Sequence, residues 1–396
     1  MKRISALLLA LFLALSLLGC NQPSAPTTVP VVTEPTTVPV VTEPTTVVWY
    51  DESTVSITAE QVDRIVNGQF KTPKNIILLI GDGMGPNDIA LCEKYGGDNF
   101  DFGLVLNRIP HHGLATTHSA SSKVTDSAAS GTALATGSKT ANSYIGMLVD
   151  GTRLRNLSEI ARENGKKVGI VTDDSITGAT PSAFLAHNES RKNCDDIYEE
   201  ALQFAPDVYI GMKDATRFNR AKELGFNAAS QFQQFEEAFS LTGDRTNPFV
   251  AFNNGYSMTV SNELAQCTQL ALNLLNNEQG FFLMVESSGT DKFGHDNNFM
   301  GKLASVTTLD RTLAAILLFM QKNPDTLLIV TSDHETGGVK LPKKGELAGN
   351  QLFTKDTHTD TPVRVFALGQ GSEYFADKTV DNTDIAKFLI DAIERN

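Results

Sequence analysis

Residues 75–82 read Asn-Ile-Ile-Leu-Leu-Ile-Gly-Asp, an unbroken apolar run that ends in a glycine and a carboxylate. A short apolar run without polar alternation is typical of a strand that is buried on both faces, as the strands of parallel sheets are. The run therefore predicts a central strand with helices on either side of it. Its final residue, Asp82, falls where that strand would reach the edge of the sheet.

The rest of the chain alternates predicted helices with predicted strands. A helix over 157–164, closed by Gly165, precedes a strand over 167–172. The later pairs are helix 263–275 with strand 280–285, helix 303–321 with strand 326–331, and strand 362–368 with helix 383–394. This alternation predicts an α/β domain over residues 50–396, folded as a three-layer sandwich with a largely parallel central sheet flanked by helices.

Acidic residues and a histidine follow three of the predicted strands. Asp82 follows the first strand, Glu286 follows the strand over 280–285, and Asp333 and His334 follow the strand over 326–331. One such residue alone is usually part of a turn or a helix cap. Because ligands of open α/β sheets bind outside the carboxyl ends of the strands, the three positions together indicate a shared functional site.

Carboxylates and imidazoles recur close together in the last third of the chain. Asp291 lies four residues before His295, Asp333 adjoins His334, and His358 lies in a polar loop before the last strand. A lone histidine in such a loop is more often a surface residue than a ligand. Carboxylate with imidazole suits Zn²⁺, whereas carboxylate with hydroxyl and water suits Mg²⁺. The repeated pairing indicates a metal centre.

Ser127 is a candidate nucleophile. It lies in the stretch 124–133, Val-Thr-Asp-Ser-Ala-Ala-Ser-Gly-Thr-Ala, at the predicted start of a small-residue helix, whose free N–H groups favour an anion. The alternative is that Asp126 or Ser127 is only the N-cap of that helix. A serine hydroxyl needs a base or a metal to become reactive, and the sequence contains no Gly-x-Ser-x-Gly motif. Activation by a metal is the better interpretation.

Five stretches together resemble the signatures of the alkaline phosphatase family. They are residues 75–84, 125–129, 286–295, 332–335 and 358–359, in the family's order. The resemblance implies the alkaline phosphatase fold and the hydrolysis of phosphate monoesters, with release of inorganic phosphate. It also implies a phosphoserine intermediate and a cluster of two zinc ions and one magnesium ion. A related phosphodiesterase, sulfatase or phosphomutase, and a phosphate-binding lipoprotein without activity, are the alternatives.

The same resemblance implies a role for each matching residue. Ser127 would be the nucleophile, and Arg191 and Lys292 would bind the phosphate group. The implied metal ligands are Asp291, His295 and His358 for one zinc ion, Asp82, Asp333 and His334 for the second, and Asp82, Glu286 and Thr180 for the magnesium ion.

Two features depart from the family pattern. Gly178 stands where relatives carry Asp or His beside the magnesium site, so the third ion and the orientation of Lys292 are left open. About two dozen residues separate His334 from His358, where many relatives have a larger crown region used in dimer contacts. We therefore expect a reduced crown, and a homodimer is not assured.

The acidic composition indicates which kinds of ligand the chain can bind. The chain has 396 residues and a formal net charge of −13, which argues against nucleic-acid binding because such binding needs a basic surplus. The same charge would repel a phosphate ester unless the site reverses it locally. Three divalent ions would bring roughly +6 against about −4 from four carboxylates, which is enough to attract a phosphate dianion.

The N-terminus predicts export and a lipid anchor. Residues 1–20 contain a basic start, an apolar run and Leu-Leu-Gly-Cys, which resembles a bacterial lipobox that ends at Cys20. An ordinary signal peptide is the alternative. Residues 21–49 repeat a nonamer rich in Thr, Val, Pro and Glu, which predicts an extended tether. We therefore expect a membrane-anchored lipoprotein that faces the periplasm or the cell exterior. Three other cysteines, Cys92, Cys194 and Cys267, allow at most one disulfide within the chain.

Overall fold

The computed structural model describes residues 56–96, 100–230 and 249–395. The predicted signal peptide, Cys20 and the 21–49 repeat lie outside the described residues, so these predictions are not addressed by the fold.

Twelve strands are described, ten of them in one central sheet. They are β1 Asn75–Gly81, β2 His111–Thr116, β3 Lys167–Ser175, β4 Val208–Met212, β5 Asn227–Ala229, β6 Phe249–Asn253, β7 Phe281–Ser287, β8 Thr326–Thr331, β9 Glu335–Thr336, β10 His358–Thr359, β11 Val363–Leu368 and β12 Thr379–Asp381. The central sheet has the order β12-β2-β11-β8-β1-β7-β3-β4-β6-β5, and β9 and β10 form a separate two-stranded sheet. Among the described strands of the central sheet, only β11 runs against the others. The prediction of a largely parallel sheet is confirmed.

Helices cover both faces of this sheet. They are α1 Ala59–Val66, α2 Pro86–Tyr95, α3 Ser127–Thr136, α4 Leu157–Glu163, α5 Ala179–Ser182, α6 Cys194–Phe204, α7 Ala215–Glu223, α8 Glu263–Leu275, α9 Gly289–His295, α10 Phe299–Lys322 and α11 Asn382–Glu394. The strand β1 shows why the domain has three layers. Ile77 and Leu79 belong to a core cluster with α8 and α10, whereas Ile76, Leu78 and Ile80 belong to a second cluster with α3, α4 and α11. Burying each such side chain contributes about 1.5–3 kcal/mol, so the apolar run of β1 stabilises both layers.

The predicted elements are confirmed, and their ends differ for local reasons. The helix α8 and the strand β8 match the predicted bounds. The helix predicted over 303–321 begins earlier, at Phe299, because the side chain of Asn298 accepts a hydrogen bond from the Gly301 N–H (2.9 Å) and caps it there. The strand predicted to end at Thr172 continues as β3 to Ser175 through an irregular register with β4.

The helix α10 is long and apolar enough, by length and composition, to cross a membrane. Of its most apolar window, 83% is buried inside the domain, where the helix packs against α8 and α2. We therefore describe α10 as a core helix.

Two smaller expectations concern the crown and the cysteines. Between His334 and His358 the chain forms only β9, a turn of 3-10 helix at Asn350–Leu352 and β10, as expected for a reduced crown. Cys92, Cys194 and Cys267 form no disulfide in the structure.

His187 ties the segment after α5 to the neighbouring helix α6. Its Nδ1 lies 2.9 Å from Glu200 Oε1, and its Nε2 lies 2.8 Å from the carbonyl oxygen of Leu154. Burial by itself lowers the pKa of His187, but the hydrogen bonds to Glu200 and to the Leu154 carbonyl outweigh burial and raise this pKa above its usual value of 6.5.

This pKa shift predicts how stability depends on pH. Because the folded protein holds the His187 proton more tightly than the unfolded chain does, the stabilisation is fully present below about pH 6.5 and is lost as the pH rises through the raised pKa. The free energy of unfolding of wild type, measured by urea denaturation, should therefore fall relative to that of His187→Gln between about pH 6 and about pH 9. A constant difference between the two proteins over that range would show that His187 does not stabilise the fold as a cation.

Candidate metal centre

The first predicted ligands lie at the ends of three neighbouring strands, at one edge of the sheet. The strands β8, β1 and β7 are adjacent and parallel, and Ile80 is in register with Glu286 on one side and Thr331 on the other. Asp82 and Asp333 follow just beyond the ends of β1 and β8. The three carboxylates therefore converge at the carboxyl edge of the sheet, as the sequence predicts.

Gly83 allows the turn after β1 to pass close to α9. Its φ is +70°, and a Cβ at this position would lie 2.6 Å from the Cα of Asp291. Both the left-handed backbone and the close approach require glycine. As a result, Asp82 and Asp291 lie on either side of a tight contact between two chain segments.

The imidazoles of His295 and His358 are oriented by backbone carbonyl groups. The Nδ1 atom of His358 lies 2.9 Å from the Thr125 carbonyl oxygen, and the Nδ1 atom of His295 lies 2.6 Å from that of Asp356. These contacts favour a proton on each Nδ1 and leave each Nε2 with a lone pair, the arrangement of metal-binding histidines. Both Nε2 atoms lie 3.3 Å from Asp291 Oδ1.

His334 joins this first group to a second one. Its Nε2 atom lies 3.0 Å from Asp333 Oδ2, 3.6 Å from Asp82 Oδ1 and 3.2 Å from the hydroxyl oxygen of Ser127. The ligand atoms of Asp82, Asp333 and His334 lie within 4.8 Å of one another, and so do those of Asp291, His334 and His358. The structure thus groups Asp291 and His358 with both His295 and His334.

Ser127 is the first residue of α3 and is buried beside these ligands. Asp126 caps the helix by accepting a hydrogen bond from the Ala129 N–H at 3.0 Å, so Asp126 is the N-cap and the hydroxyl of Ser127 is left to face His334. Of the two residues that could be the N-cap, the structure thus selects Asp126.

Three predicted ligand atoms are buried without a hydrogen bond. They are Asp82 Oδ1, Asp333 Oδ2 and Thr180 Oγ1. The other carboxylate oxygen of Asp333, in contrast, accepts hydrogen bonds from the N–H groups of Gly83 (3.1 Å) and His334 (2.9 Å). A buried polar oxygen without a partner costs free energy, and a divalent cation would satisfy it. This pattern fits a metal centre at these residues.

Two carboxylates have pKa values that show a shortage of positive charge. Burial raises the pKa of Asp82 well above its usual value, and repulsion from Asp333, Asp291 and Glu286 adds to the increase. Burial, followed by repulsion from Asp174, raises the pKa of Glu286 to about 8. The protein atoms alone therefore favour protons on these groups, whereas bound cations would favour the ionised form.

The imidazoles lower the pKa values of the carboxylates that they contact. Burial opposes ionisation of Asp291, but its contacts with His295 and His358 hold its pKa well below the usual range. Burial is likewise outweighed at Asp333, where His334 lowers the pKa. Both groups are therefore ionised and able to bind a cation.

Glu286 and Thr180 lie on the side of the centre formed by β7 and α5. The Thr172 hydroxyl donates a short hydrogen bond to Glu286 Oε2, and Thr180 is buried in α5. Asp82 is close enough to Glu286 for the two carboxylates to repel each other. The hydroxyl and carboxylate oxygens are the donor set that Mg²⁺ prefers.

Each of the two predicted phosphate-binding residues is paired with a carboxylate. The Nη1 atom of Arg191 lies 3.4 Å from Asp126 Oδ2, next to Ser127 at the start of α3. The ammonium of Lys292 lies 3.0 Å from Asp174 Oδ2. Burial by itself lowers the pKa of Lys292, but the attraction of Asp174 and further carboxylates raises it above the usual range, so Lys292 is a cation.

Sequence reasoning missed Asp173 and Asp174. Asp173 is buried and accepts a hydrogen bond from the N–H of Ser288 at 2.6 Å, directly before α9. Burial raises the pKa of Asp173 to about 6. The signal was available, because the two acids follow the buried core of a predicted strand just as Asp82 and Asp333 do.

The fold and the arrangement of side chains place the chain among the metal-dependent α/β enzymes. Comparison with known proteins defines its family. The family model described as alkaline phosphatase matches residues 73–213 and 250–353, and the chain belongs to the alkaline phosphatase family.

Individual relatives agree with this membership. Alkaline phosphatase 4 of Bacillus subtilis is 33% identical over 304 residues, which cover 69% of this chain and 64% of the relative. The chain thus spans slightly less than two thirds of that relative. The solved cold-active alkaline phosphatase of a psychrophilic Shewanella species is 27% identical, with a TM-score of 0.72, and the match covers 81% of this chain and 99% of that one.

A third relative has a solved structure that contains a metal ion. A variant of the alkaline phosphatase from the Antarctic bacterium TAB5, solved with Mg bound in its M3 site, is 30% identical to this chain. Its TM-score is 0.68, and the match covers 82% of this chain and 99% of that one. The likeness confirms the predicted fold.

Proposed function

We propose that the chain hydrolyses phosphate monoesters through a phosphoserine at Ser127, with two zinc ions and one magnesium ion as cofactors. The observation that carries the proposal is the position of the Ser127 hydroxyl, buried beside His334 and next to two groups of carboxylate and imidazole ligand atoms. Membership of the alkaline phosphatase family supports the same reaction. No other function is favoured by a specific contact in the described residues.

The residues present suit these cations. Asp291, His295 and His358 would hold one zinc ion, and Asp333 and His334 would hold the second together with Asp82, because carboxylate and imidazole are ligands of zinc. Asp82, Glu286 and Thr180 would hold magnesium through oxygen atoms. When bound, the cations would supply the concentrated positive charge that phosphoryl transfer requires.

In the proposed reaction, Ser127 is the nucleophile. Its hydroxyl oxygen attacks phosphorus, the bond between phosphorus and the ester oxygen breaks, and the alcohol leaves with a proton. Water then attacks the phosphoserine, inorganic phosphate leaves, and the Ser127 hydroxyl is restored. Because Ser127 is the first residue of α3, its oxygen lies at the positive end of the helix dipole, which favours the negative charge that develops there.

Arg191 is the residue that would bind the phosphate group. Asp126 holds its guanidinium beside Ser127, and a hydrogen bond from the Arg191 N–H to the Ser143 carbonyl (2.8 Å) fixes its backbone. A planar guanidinium can donate two parallel hydrogen bonds to two phosphate oxygens, a geometry that a lysine ammonium does not offer.

Substitution of Arg191 should therefore weaken phosphate binding more than it slows the chemistry. Arg191→Ala is expected to raise KM and the inhibition constant of inorganic phosphate by about 10–10²-fold, and Arg191→Lys should recover only part of this loss. Steady-state kinetics with phosphate as competitive inhibitor measure both constants. An Arg191→Ala enzyme with wild-type constants would remove this residue from the phosphate site.

Hydrolysis of p-nitrophenyl phosphate tests the proposed function directly. The purified chain should be assayed from about pH 6 to about pH 11, before and after EDTA, and again with zinc and magnesium restored. We expect activity that is highest above neutral pH, disappears with the chelator and returns with the metals. A fully metallated protein without monoesterase activity would contradict the proposal, and diesters and sulfate esters would then be the substrates to assay.

We also propose that the chain is exported and anchored to a membrane through acylated Cys20, with residues 21–49 as a tether. The lipobox-like Leu-Leu-Gly-Cys and the apolar run before it support this location. In a bacterial host, Cys20→Ala should either release the activity into the soluble fraction or leave it in the membrane fraction on a precursor whose signal peptide is uncleaved. Cleaved Cys20→Ala protein that stays in the membrane fraction as fully as wild type after removal of peripheral contacts would contradict lipid anchoring.

A further inference from the structure

Lys292 has a carboxylate partner that the family pattern does not predict in this chain. We propose that Asp174, near the end of β3, is the positioning residue of Lys292. It takes the role of the side chain that Gly178 lacks. The inference rests on the proposed function, because the position of Lys292 matters to the reaction only if phosphate binds beside it.

The contact between the two residues is close and sheltered. The Lys292 ammonium lies 3.0 Å from Asp174 Oδ2, and the two side chains are 29% and 16% exposed, respectively. An ion pair that is partly withdrawn from water is stronger and less screened than one on the open surface. The pair can therefore hold the long lysine side chain in one orientation.

Asp174 lies in an irregular part of β3. The register between β3 and β4 shifts between Val171 and Ser175, so the intervening residues are not paired regularly with β4. Register irregularities, of which β-bulges are the best-known kind, redirect side chains and are common beside active sites. Here Asp173 turns to the N–H of Ser288, directly before α9, while Asp174 turns to Lys292 on α9 itself.

The backbone of Asp174 is fixed by the same network. Its N–H donates a hydrogen bond to the hydroxyl of Thr172 at 2.9 Å, and that hydroxyl donates in turn to Glu286. The position of Asp174 is therefore linked to a predicted ligand of the third cation. Both neighbouring carboxylates, Asp173 and Asp174, contact the segment that carries Asp291.

Gly178 leaves room for Asp174. A Cβ at position 178 would lie 3.0 Å from the carbonyl oxygen of Ser175, 3.2 Å from Asp174 Oδ2 and 3.5 Å from its Cγ, so the Asp174 carboxylate borders the space that a side chain at 178 would enter. The φ of Gly178 is −55°, which any residue can adopt, so a side chain at 178 needs only a small shift of its neighbours and no left-handed backbone. A carboxylate beside Lys292 can thus be supplied from either position 174 or position 178.

Loss of Asp174 would release the ammonium of Lys292 toward other acids. Asp82 and Asp291 are the carboxylates that attract it next, and both are predicted metal ligands. The lysine would then be less well placed for phosphate, since a group that must be reoriented binds more weakly than one already in position.

The test is the binding of inorganic phosphate to the full chain at saturating zinc and magnesium, measured by calorimetry, together with steady-state kinetics. Asp174→Ala is expected to raise the phosphate Kd and the KM about tenfold while kcat changes less than about threefold. Adding Gly178→Asp to that variant should return both constants to within about threefold of wild type. Asp391→Ala, which breaks the exposed pair of Asp391 with Arg395 (2.9 Å), is the matched control and should leave both constants unchanged.

The outcomes separate this inference from the function on which it rests. An unchanged or lower phosphate Kd in Asp174→Ala would overturn it, and so would a double variant that recovers nothing. A wild-type protein that neither hydrolyses phosphate monoesters nor binds phosphate would overturn the proposed function and this inference with it.

Discussion

Replacing Ser127 by Ala should lower kcat for phosphate monoesters by at least about 10³-fold, because it removes the atom that would form the bond to phosphorus. The Ser127 hydroxyl lies 3.2 Å from His334 Nε2, and removing it leaves the ligand atoms of Asp82, Asp333 and His334 within 4.8 Å of one another. The zinc and magnesium contents should therefore stay at the wild-type level. Turnover of p-nitrophenyl phosphate and elemental analysis of the same samples measure the two quantities.

Ser158 offers a matched control for this substitution. It is also a buried serine in the first turn of a helix, α4, and its hydroxyl makes no hydrogen bond. Ser158→Ala should keep kcat within about twofold of wild type. If Ser127→Ala retained turnover within about tenfold of wild type, the nucleophile would be another group.

Replacing Asp82 by Asn should change stability in opposite directions with and without metal. In the metal-free protein, burial and the nearby acids Asp333, Asp291 and Glu286 disfavour the charge of Asp82, so a neutral amide should raise Tm by about 2 °C or more. In the metal-loaded protein the same change removes a ligand, so Tm should fall by about 5 °C or more, and activity should be lost with it.

Thermal unfolding at one pH near 8, with EDTA or with zinc and magnesium, measures this reversal. Asp310→Asn is the control, because Asp310 is a buried carboxylate that accepts hydrogen bonds from the N–H groups of Val105 (2.9 Å) and Leu106 (2.8 Å). Its effect should have the same sign and size in both conditions. Loss of stability in Asp82→Asn under both conditions would argue that this carboxylate has a structural role and binds no cation.

The fold could be predicted from sequence because its signals are local and strong. The apolar run of β1 has no polar alternation, and its residues do face two separate core clusters. The helix α8 and the strand β8 were equally clear in pattern. The antiparallel direction of β11 could not be predicted, because an apolar strand has the same sequence pattern in either direction. Its pairing with β8 and β2 depends on how the whole sheet assembles.

The candidate site could be predicted where residue type and strand end coincide, as at Asp82 and Asp333. The shared position of His334 between two ligand groups could not, because it depends on distances across β1, β8 and α3. Asp174 could have been identified as an acid that follows a strand core, but its contact with Lys292 could not. That contact lies where the register between β3 and β4 is irregular, and such an irregularity leaves no periodic pattern in the sequence.

The most direct test of the central claim is to look for the phosphoserine itself. Metal-loaded protein is mixed with a phosphate monoester, quenched in acid and digested, and the peptide that contains Ser127 is examined by mass spectrometry. We predict that one phosphoryl group is added at Ser127, and that the addition is absent after EDTA treatment and in Ser127→Ala. Steady turnover in the metal-loaded enzyme without any modification of Ser127 at any quench time would contradict the account.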